Sequence, residues 1–312
     1  MPTLYIDKQG VSAHLDGAAI VIRDNDHRVG TVPINPLERV VIRGNVMVDT
    51  KLLSYLGEKK IGVLILSGRR HQATLMQPRI YLDAERRCLQ YERHKSMAFR
   101  IFISKKILSE KLTAAIILLQ KLRERKQEKS FCLQKYENVL ILNLKKLQRA
   151  ETLETLRGIE GDSARNYFGA LSFYLPSDLG FKGRNRRPPR DPVNAVLSLG
   201  YTLLLTEISL SCLTHGLDPY ISFLHELDYG RESLSCDLVE PFRSCIDELT
   251  VDLFESNTLK PELFTVSSDG CYMGKEARAS FYPAFENIRE ELRTRISRFV
   301  MQIVHDIESE KI

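Results

Sequence analysis

RHKSMAFRIFISKKILSEKLTAAIILLQKLRERK, residues 93–126, shows the period to which the chain changes from about residue 85. Apolar residues recur there at steps of three and four, the spacing that gathers them on one face of an α-helix. The sequence upstream has a different rhythm. The runs TLYID, VSAHL, AIVIR, RVGTVPI and ERVVIRG follow one another at eight to ten residues, broken by Gly10, Asp16-Gly17, Asn25-Asp26, Pro36 and Gly44-Asn45. Short apolar runs between such turn residues read as successive hairpins. DTKLLSYLGEKK (49–60) reads as one helix, with Asp49 as N-cap and Gly57 as stop. IGVLILS (61–67) and QATLM (72–76) then read as strands.

Downstream the helical period persists. NVLILNLKKLQRAETLETLRGI (138–159) is helical, and Asp162 or Ser163 is a candidate cap for a new helix after the Gly158/Gly161 pair that brackets Glu160. The charge run KLRERKQEK (121–129) reads as a solvated face or loop. PSDLGFKGRNRRPPRDPVN (176–194) is a loop, and a long apolar helix follows it. The expected fold is therefore α+β: a small N-terminal β domain, residues 1–84, and a larger all-α domain, residues 85–312.

Of 312 residues, 43% are apolar, enough for sizeable cores and too many for a disordered chain. The net charge of +5 is too mild to argue for nucleic acid by itself, so local distribution must decide. Six cysteines without a Cys-x-x-Cys pair suggest free thiols in a reducing compartment. The N-terminus has no basic segment followed by an apolar run, and the apolar window 195–213 contains Glu207. A buried helix is expected there, with no membrane span and a cytoplasmic location.

Three signals bear on chemistry. In FLHELDYGRESLSCDLVEPFR (223–243), His225 precedes a Gly230-Arg231 turn, and Asp237 and Glu240 follow it. On a helix starting near Ser233, Leu234, Leu238, Phe242, Cys245 and Leu249 form an apolar stripe that leaves both acids on another face. Read alone, those acids either face water or meet a ligand. Pro241 removes a hydrogen bond to the Asp237 carbonyl and kinks the helix beside them. The second signal is Glu160. The third is the dense cluster Lys182, Arg184, Arg186, Arg187 and Arg190, stiffened by Pro188-Pro189 and flanked by aromatics including Tyr167 and Tyr201. Guanidinium clusters suit phosphates. Carboxylates with one imidazole and nearby arginines suit metal-assisted phosphoryl transfer with Mg²⁺ or Mn²⁺. No zinc-finger spacing, Gly-x-Ser-x-Gly elbow, P-loop or Gly-x-Gly-x-x-Gly turn is present.

Four ordered stretches carry a resemblance that runs nearly end to end: LRGIEGDSARNYF (156–168), RPPRDPVNAVLSLGYTLL (187–204), PYISFLHELDYGRESLSCDLVEPFR (219–243) and DGCYMGKEARASFYPAFE (269–286). The chain resembles the CRISPR-associated spacer integrases, the larger subunit of the CRISPR adaptation complex. The resemblance implies a dimerising N-terminal β domain and a helical catalytic domain. It implies one divalent ion held by Glu160, His225 and Glu240, with Asp237 in the same catalytic site. Glutamate at 240 is one methylene longer than the family's usual aspartate, and Ser244 stands where a proline is common. It further implies contacts to double-stranded DNA from Tyr167, Arg184, Arg186, Arg187, Arg190, Tyr201 and Arg231. The family acts as a homodimer, two of which clamp a dimer of a small ferredoxin-like subunit in a heterohexamer. It joins the 3′-hydroxyl of a short DNA to a phosphodiester at a repeat edge by direct transesterification. Two other readings stay open: a metal-dependent nuclease on branched DNA, and a non-catalytic DNA-binding scaffold.

Overall fold

The computed structural model describes residues 3–66, 73–76, 83–185 and 188–309. The chain divides into two compact units, Met1–Leu82 and Asp83–Ile312.

The first unit contains strands β1 (Thr3–Ile6), β2 (Val11–Asp16), β3 (Ala19–Asp24), β4 (His27–Pro33), β5 (Arg39–Arg43) and β6 (Met47–Val48), helix α1 (Thr50–Glu58), then β7 (Gly62–Leu66) and β8 (Ala73–Met76). They form two four-stranded sheets, ordered β4-β3-β2-β6 and β1-β5-β7-β8. Of the five runs read as successive hairpins, only those that form β2, β3 and β4 pair so; β7 and β8 further on are also antiparallel neighbours. Gly17 (φ +58) turns the first hairpin, and Asn25 (φ 45) and Asp26 (φ 64) turn the second. Positive φ at both central residues matches the twist of the flanking strands. By contrast, β1, β5 and β7 pair in parallel. The reason is visible in composition: RVVIR and GVLIL are continuous apolar runs, buried along nearly their whole length, as covered parallel strands are. The crossover between β5 and β7 is α1. Asp49 caps it, its Oδ1 accepting from Lys51 N at 2.9 Å. Gly57 does not stop it; the helix runs to Glu58 and ends where Lys60 takes φ 59. Ile6, Val11, Ile20, Ile34, Val40, Leu52 and Leu56 fill the core of this unit.

The second unit is mostly helical: α2 (Ala84–Lys95), α3 (Met97–Arg125), α4 (Ser130–Arg149), α5 (Leu153–Tyr174), α6 (Pro192–Thr214), α7 (Ser233–Leu238), α8 (Arg243–Glu255) and α9 (Lys275–Glu308). A two-stranded ribbon, β9 (Phe264–Ser267) and β10 (Gly270–Met273), interrupts the all-α expectation. The strands are joined by a Ser268-Asp269 turn, and Gly270, the first residue of β10, sits at φ +131.

Capping explains the helix ends. Ser96 closes α2 and caps α3, its Oγ accepting from Phe99 N at 3.3 Å. Thr152 caps α5 through Thr155 N at 3.1 Å. No helix begins at Asp162 or Ser163: α5 passes straight through Gly158 and Gly161, which have open space on the Cβ side. Glu160 therefore stands on a rigid helix. α3 is the spine, with Phe99, Ile103, Ile107, Leu112, Leu119 and Leu122 buried against α4, α5 and α8. The charge run at its end is tied down: Arg125 meets Asp252 at 2.5 Å and Lys126 meets Glu255 at 2.8 Å.

α6 is long and apolar enough to cross a membrane by length and composition, with mean hydropathy 1.6, but 72% of that window is buried inside the unit. Its Glu207 faces Arg289 and Arg293 of α9. α6 and α8 approach closely at Gly200, where a Cβ would lie 2.4 Å from Ile246 Cγ2.

Candidate metal and nucleic-acid site

His225 is held by its surroundings before it does anything. The segment 222–226 has no regular secondary structure of its own, so its backbone groups need outside partners. The Asp237 carboxylate, 0% exposed at the end of α7, supplies several of them. Its Oδ2 accepts from Phe223 N at 2.8 Å and Leu224 N at 2.9 Å, and its Oδ1 accepts from His225 N at 3.2 Å. The carbonyls are met from the other side. Arg100 Nε donates to Phe223 O at 3.0 Å, and Arg157 Nε donates to Leu224 O at 3.0 Å. Leu224 anchors the segment in a core with Leu108, Leu147, Leu153 and Leu156.

Asp237 Oδ1 also lies 2.6 Å from His225 Nδ1. A carboxylate only accepts, so Nδ1 donates and Nε2 carries the free lone pair. Carboxylate–imidazole pairing of this kind orients a metal-ligating histidine. Asp237 thus has all its near contacts on the loop and the ring.

Glu240 follows in a 3₁₀ turn, Glu240–Phe242, that separates α7 from α8. Pro241 is the cause of the break, as expected from its missing N–H. The turn is buried on both sides, so Glu240 is only 5% exposed and does not face water. Its Oε1 accepts from Arg243 Nε at 2.9 Å, and its Oε2 lies 2.7 Å from Lys111 Nζ. Lys111, on α3, reaches Glu160 Oε1 at 2.6 Å as well. Two carboxylates from distant parts of the chain therefore converge on one cationic point. Burial alone would raise the Glu240 pKa, but Arg243, Lys111 and His225 outweigh it and hold the carboxyl down at about 2.

A cavity of about 70 Å³ opens beside this point, lined by Glu160, Glu240, Lys111, Arg184, Arg243 and the rings of Tyr167 and Tyr201. Both tyrosines are nearly buried, and both hydroxyls donate to Asp247 of α8, that of Tyr167 at 2.6 Å. Desolvation pushes the Asp247 carboxyl up to about 6, against the opposing pull of the two hydroxyls, Arg243 and Arg184. The Tyr201 ring lies between two guanidinium groups, Arg243 at 4.6 Å and Arg184 at 5.3 Å. Arg184 points inward: it donates to Asn194 Oδ1 at 2.8 Å and Ser198 Oγ at 3.1 Å. It is a wall of the cavity, as are Tyr167 and Tyr201.

Arg186 and Arg187 lie outside the described residues. Lys182 and Arg190 are exposed, and Arg231 is half-buried on the turn after Asp228, where Gly230 takes φ +69. None of these three joins the Lys111 cluster. The loop carrying Arg190 is pinned by the ribbon: Cys271 N donates to Pro189 O at 2.7 Å.

Sequence reasoning misses Lys111, Arg243 and Asp247. Arg243 and Asp247 stand three and seven residues after Glu240, a spacing that gathers them near one helix face. Lys111 stands between Leu108 and Leu112 on the largely apolar buried face of α3, and a charge in that setting is its signal.

Among the described residues, no three His, Cys, Asp or Glu side chains stand close enough to grip an ion as they are placed. Lys111 stands between the two carboxylates. The donor set still fits a hard or borderline divalent cation: two carboxylates that already share a cation, and an imidazole whose Nε2 is left open by Asp237.

Comparison with known proteins identifies the family. Residues 4–287 match the family model described as CRISPR associated protein Cas1. The CRISPR-associated endonuclease Cas1 1 of Thermodesulfovibrio yellowstonii is 37% identical over 300 residues, covering 94% of this chain and 93% of that protein. Among solved structures, a casposase bound to integration product has the same fold, with TM-score 0.86, 22% identity and coverage of 100% of this chain and 92% of that one. A chain of a Cas6-RT-Cas1–Cas2 complex also matches, with TM-score 0.82, 21% identity and coverage of 98% and 35%. The family match over residues 4–287 and the identity to a curated relative establish that the chain belongs to the CRISPR-associated protein Cas1 family.

Proposed function

We propose that this protein is a metal-dependent DNA integrase that joins the 3′-hydroxyl of a short duplex to a phosphodiester in a repeat array. The observation that carries the reading is the convergence of Glu160 and Glu240 on one cationic point in a cavity lined by Arg184 and Arg243, with His225 near enough for its charge to act on Glu240. Glu160, Glu240 and His225 Nε2 would hold Mg²⁺ or Mn²⁺. When bound, the ion polarises a phosphodiester oxygen toward attack.

The chain's own residues do the rest. Asp237 fixes the His225 tautomer and ring plane, so Nε2 is presented without a search. Arg243 and Arg184 hold positive charge on the cavity wall, where a phosphate can take it up in charge-assisted bonds. The Tyr167 and Tyr201 rings, tied to Asp247, make that wall rigid and keep bulk water from it. Transesterification forms one P–O bond as another breaks, so no high-energy cofactor is needed. The exposed Lys182 and Arg190, with Arg186, Arg187 and Arg231, supply the wider contact to duplex DNA. The N-terminal β unit serves as the dimer interface, and a small ferredoxin-like subunit bridges two dimers. Support for such a partner is the Cas1–Cas2 complex whose Cas1-like fold this chain shares.

A second reading is hydrolysis of branched DNA, with water in place of the 3′-hydroxyl. The endonuclease name of the Thermodesulfovibrio relative supports it. A scaffold without catalysis fits less well, because the presumptive ligands Glu160, His225 and Glu240 are all present in the sequence. The test is a strand-transfer assay with the protein, its small partner, Mn²⁺, a short duplex and a repeat-bearing plasmid. His225→Ala is expected to lose joined product. If it joins DNA as well as the native protein does, the ligand assignment is wrong.

A further inference from the structure

Lys111 takes its meaning from the divalent-ion reading above, on which this inference rests. The lysine emerges from the buried face of α3, and its side chain is only 16% exposed. Its ammonium bridges Glu160 at 2.6 Å and Glu240 at 2.7 Å, and Arg243 occupies the other Glu240 oxygen at 2.9 Å. Two acids and two cations make a neutral set. Without Lys111, two withdrawn carboxylates would face each other across a short gap, and their repulsion would be weakly screened.

A divalent ion held by those same oxygens would bring two more positive charges beside the ammonium. The ion and Lys111 would then compete for one place. Once the ion is in, the neutral set carries an excess of positive charge, and an anion relieves it. The anion this cavity is proposed to take is a DNA phosphate. Lysine suits such an exchange, because its ammonium is a compact charge on a flexible stem with three rotatable donors. An arginine fork would hold a carboxylate in a more fixed grip.

We propose that Lys111 is a built-in counter-cation of the Glu160–Glu240 pair. It keeps the carboxylates converged, weakens binding of the ion alone, and moves onto the DNA phosphate when ion and DNA are both present. Ion and DNA then strengthen each other's binding reciprocally.

The test is a titration of the full chain with Mn²⁺ alone, followed by loss of the free-ion paramagnetic resonance signal, with and without a short duplex. Lys111→Met and Lys111→Gln should bind Mn²⁺ about tenfold tighter or more, the scale expected from removing one like charge a few ångströms away. The gain in Mn²⁺ affinity that the duplex gives the native protein should shrink in both. Lys111→Arg should bind Mn²⁺ more weakly than the native protein. A lysine that merely spaces the carboxylates predicts the opposite for the neutral variants, so equal or weaker binding by them overturns the proposal. A neutral variant that folds only with Mn²⁺ present supports it, and one that folds in neither condition overturns it. Glu160→Gln separates this idea from the reading it rests on. If the native protein binds no Mn²⁺, or Glu160→Gln binds it equally well, the ion site itself is wrong.

Discussion

At the scale of single residues, Asp237 carries more of the site than its silence toward the cavity suggests. Its two oxygens meet three backbone amides and the His225 ring. Asp237→Asn replaces one accepting oxygen with a donor that faces a donor, and it removes the charge that fixes the tautomer. Mn²⁺ affinity should fall 10- to 100-fold by titration; unchanged affinity would mean that the ring needs no such anchor. Asp247 bears on stability. Its folded pKa of about 6 lies above the usual carboxylate value, so the folded state holds the proton more tightly. The stability gained this way is full below about pH 4, falls as pH rises toward 6, and is gone above it. Chemical denaturation across that window should show a loss on the order of 2–3 kcal/mol that Asp247→Asn lacks. Equal slopes for the two proteins would contradict this. His225, Asp237, Glu240 and Glu160 could all be picked out from residue types and the family resemblance. The burial of the acids could not. A helical wheel with one apolar stripe assumes one covered side, whereas Asp237 and Glu240 are enclosed on two. Lys111 and Asp247 were hard to read for a related reason: the groups they bond, the Glu160 and Glu240 carboxylates and the Tyr167 and Tyr201 hydroxyls, come from other elements.

At the scale of elements, the site depends on how three pieces end. α5 continues through Gly158 and Gly161 instead of stopping, so Glu160 has a helix under it. Gly residues weaken a helix interior but do not end it when flanking turns are packed. Pro241 does end α7, and the 3₁₀ turn that results aims Glu240 at Lys111. The third piece is the β9–β10 ribbon, whose role was not legible because nothing local marks it as the support of a loop some eighty residues earlier. Gly270 is pressed against that loop: a Cβ there would lie 2.9 Å from both Pro188 Cβ and Pro189 O, at a φ of +131 that L residues avoid. Gly270→Ala should therefore displace the arginine loop. DNA binding should weaken, and its salt slope should flatten by about one unit for each phosphate the loop no longer reaches. Native affinity throughout a salt series would show that the ribbon does not position the loop.

At the scale of the whole molecule, the change of period near residue 85 and the strand-rich stretch before it made the α+β fold readable. What escaped was the parallel pairing of β1, β5 and β7, since short apolar runs separated by turns look alike whichever neighbour they pair with. The apolar α6 is a core helix whose one acid, Glu207, is met by arginines of α9. The proposed function makes one claim of the whole chain: divalent-ion-dependent joining of DNA ends. The most direct measurement is the fate of a labelled 3′-hydroxyl duplex incubated with the protein, its small partner, a repeat-bearing plasmid and Mn²⁺. Label covalently joined to plasmid is expected, and both a chelator and a 3′-deoxy end should abolish it. Label found only in shortened strands, or joining that survives the chelator, would contradict the claim.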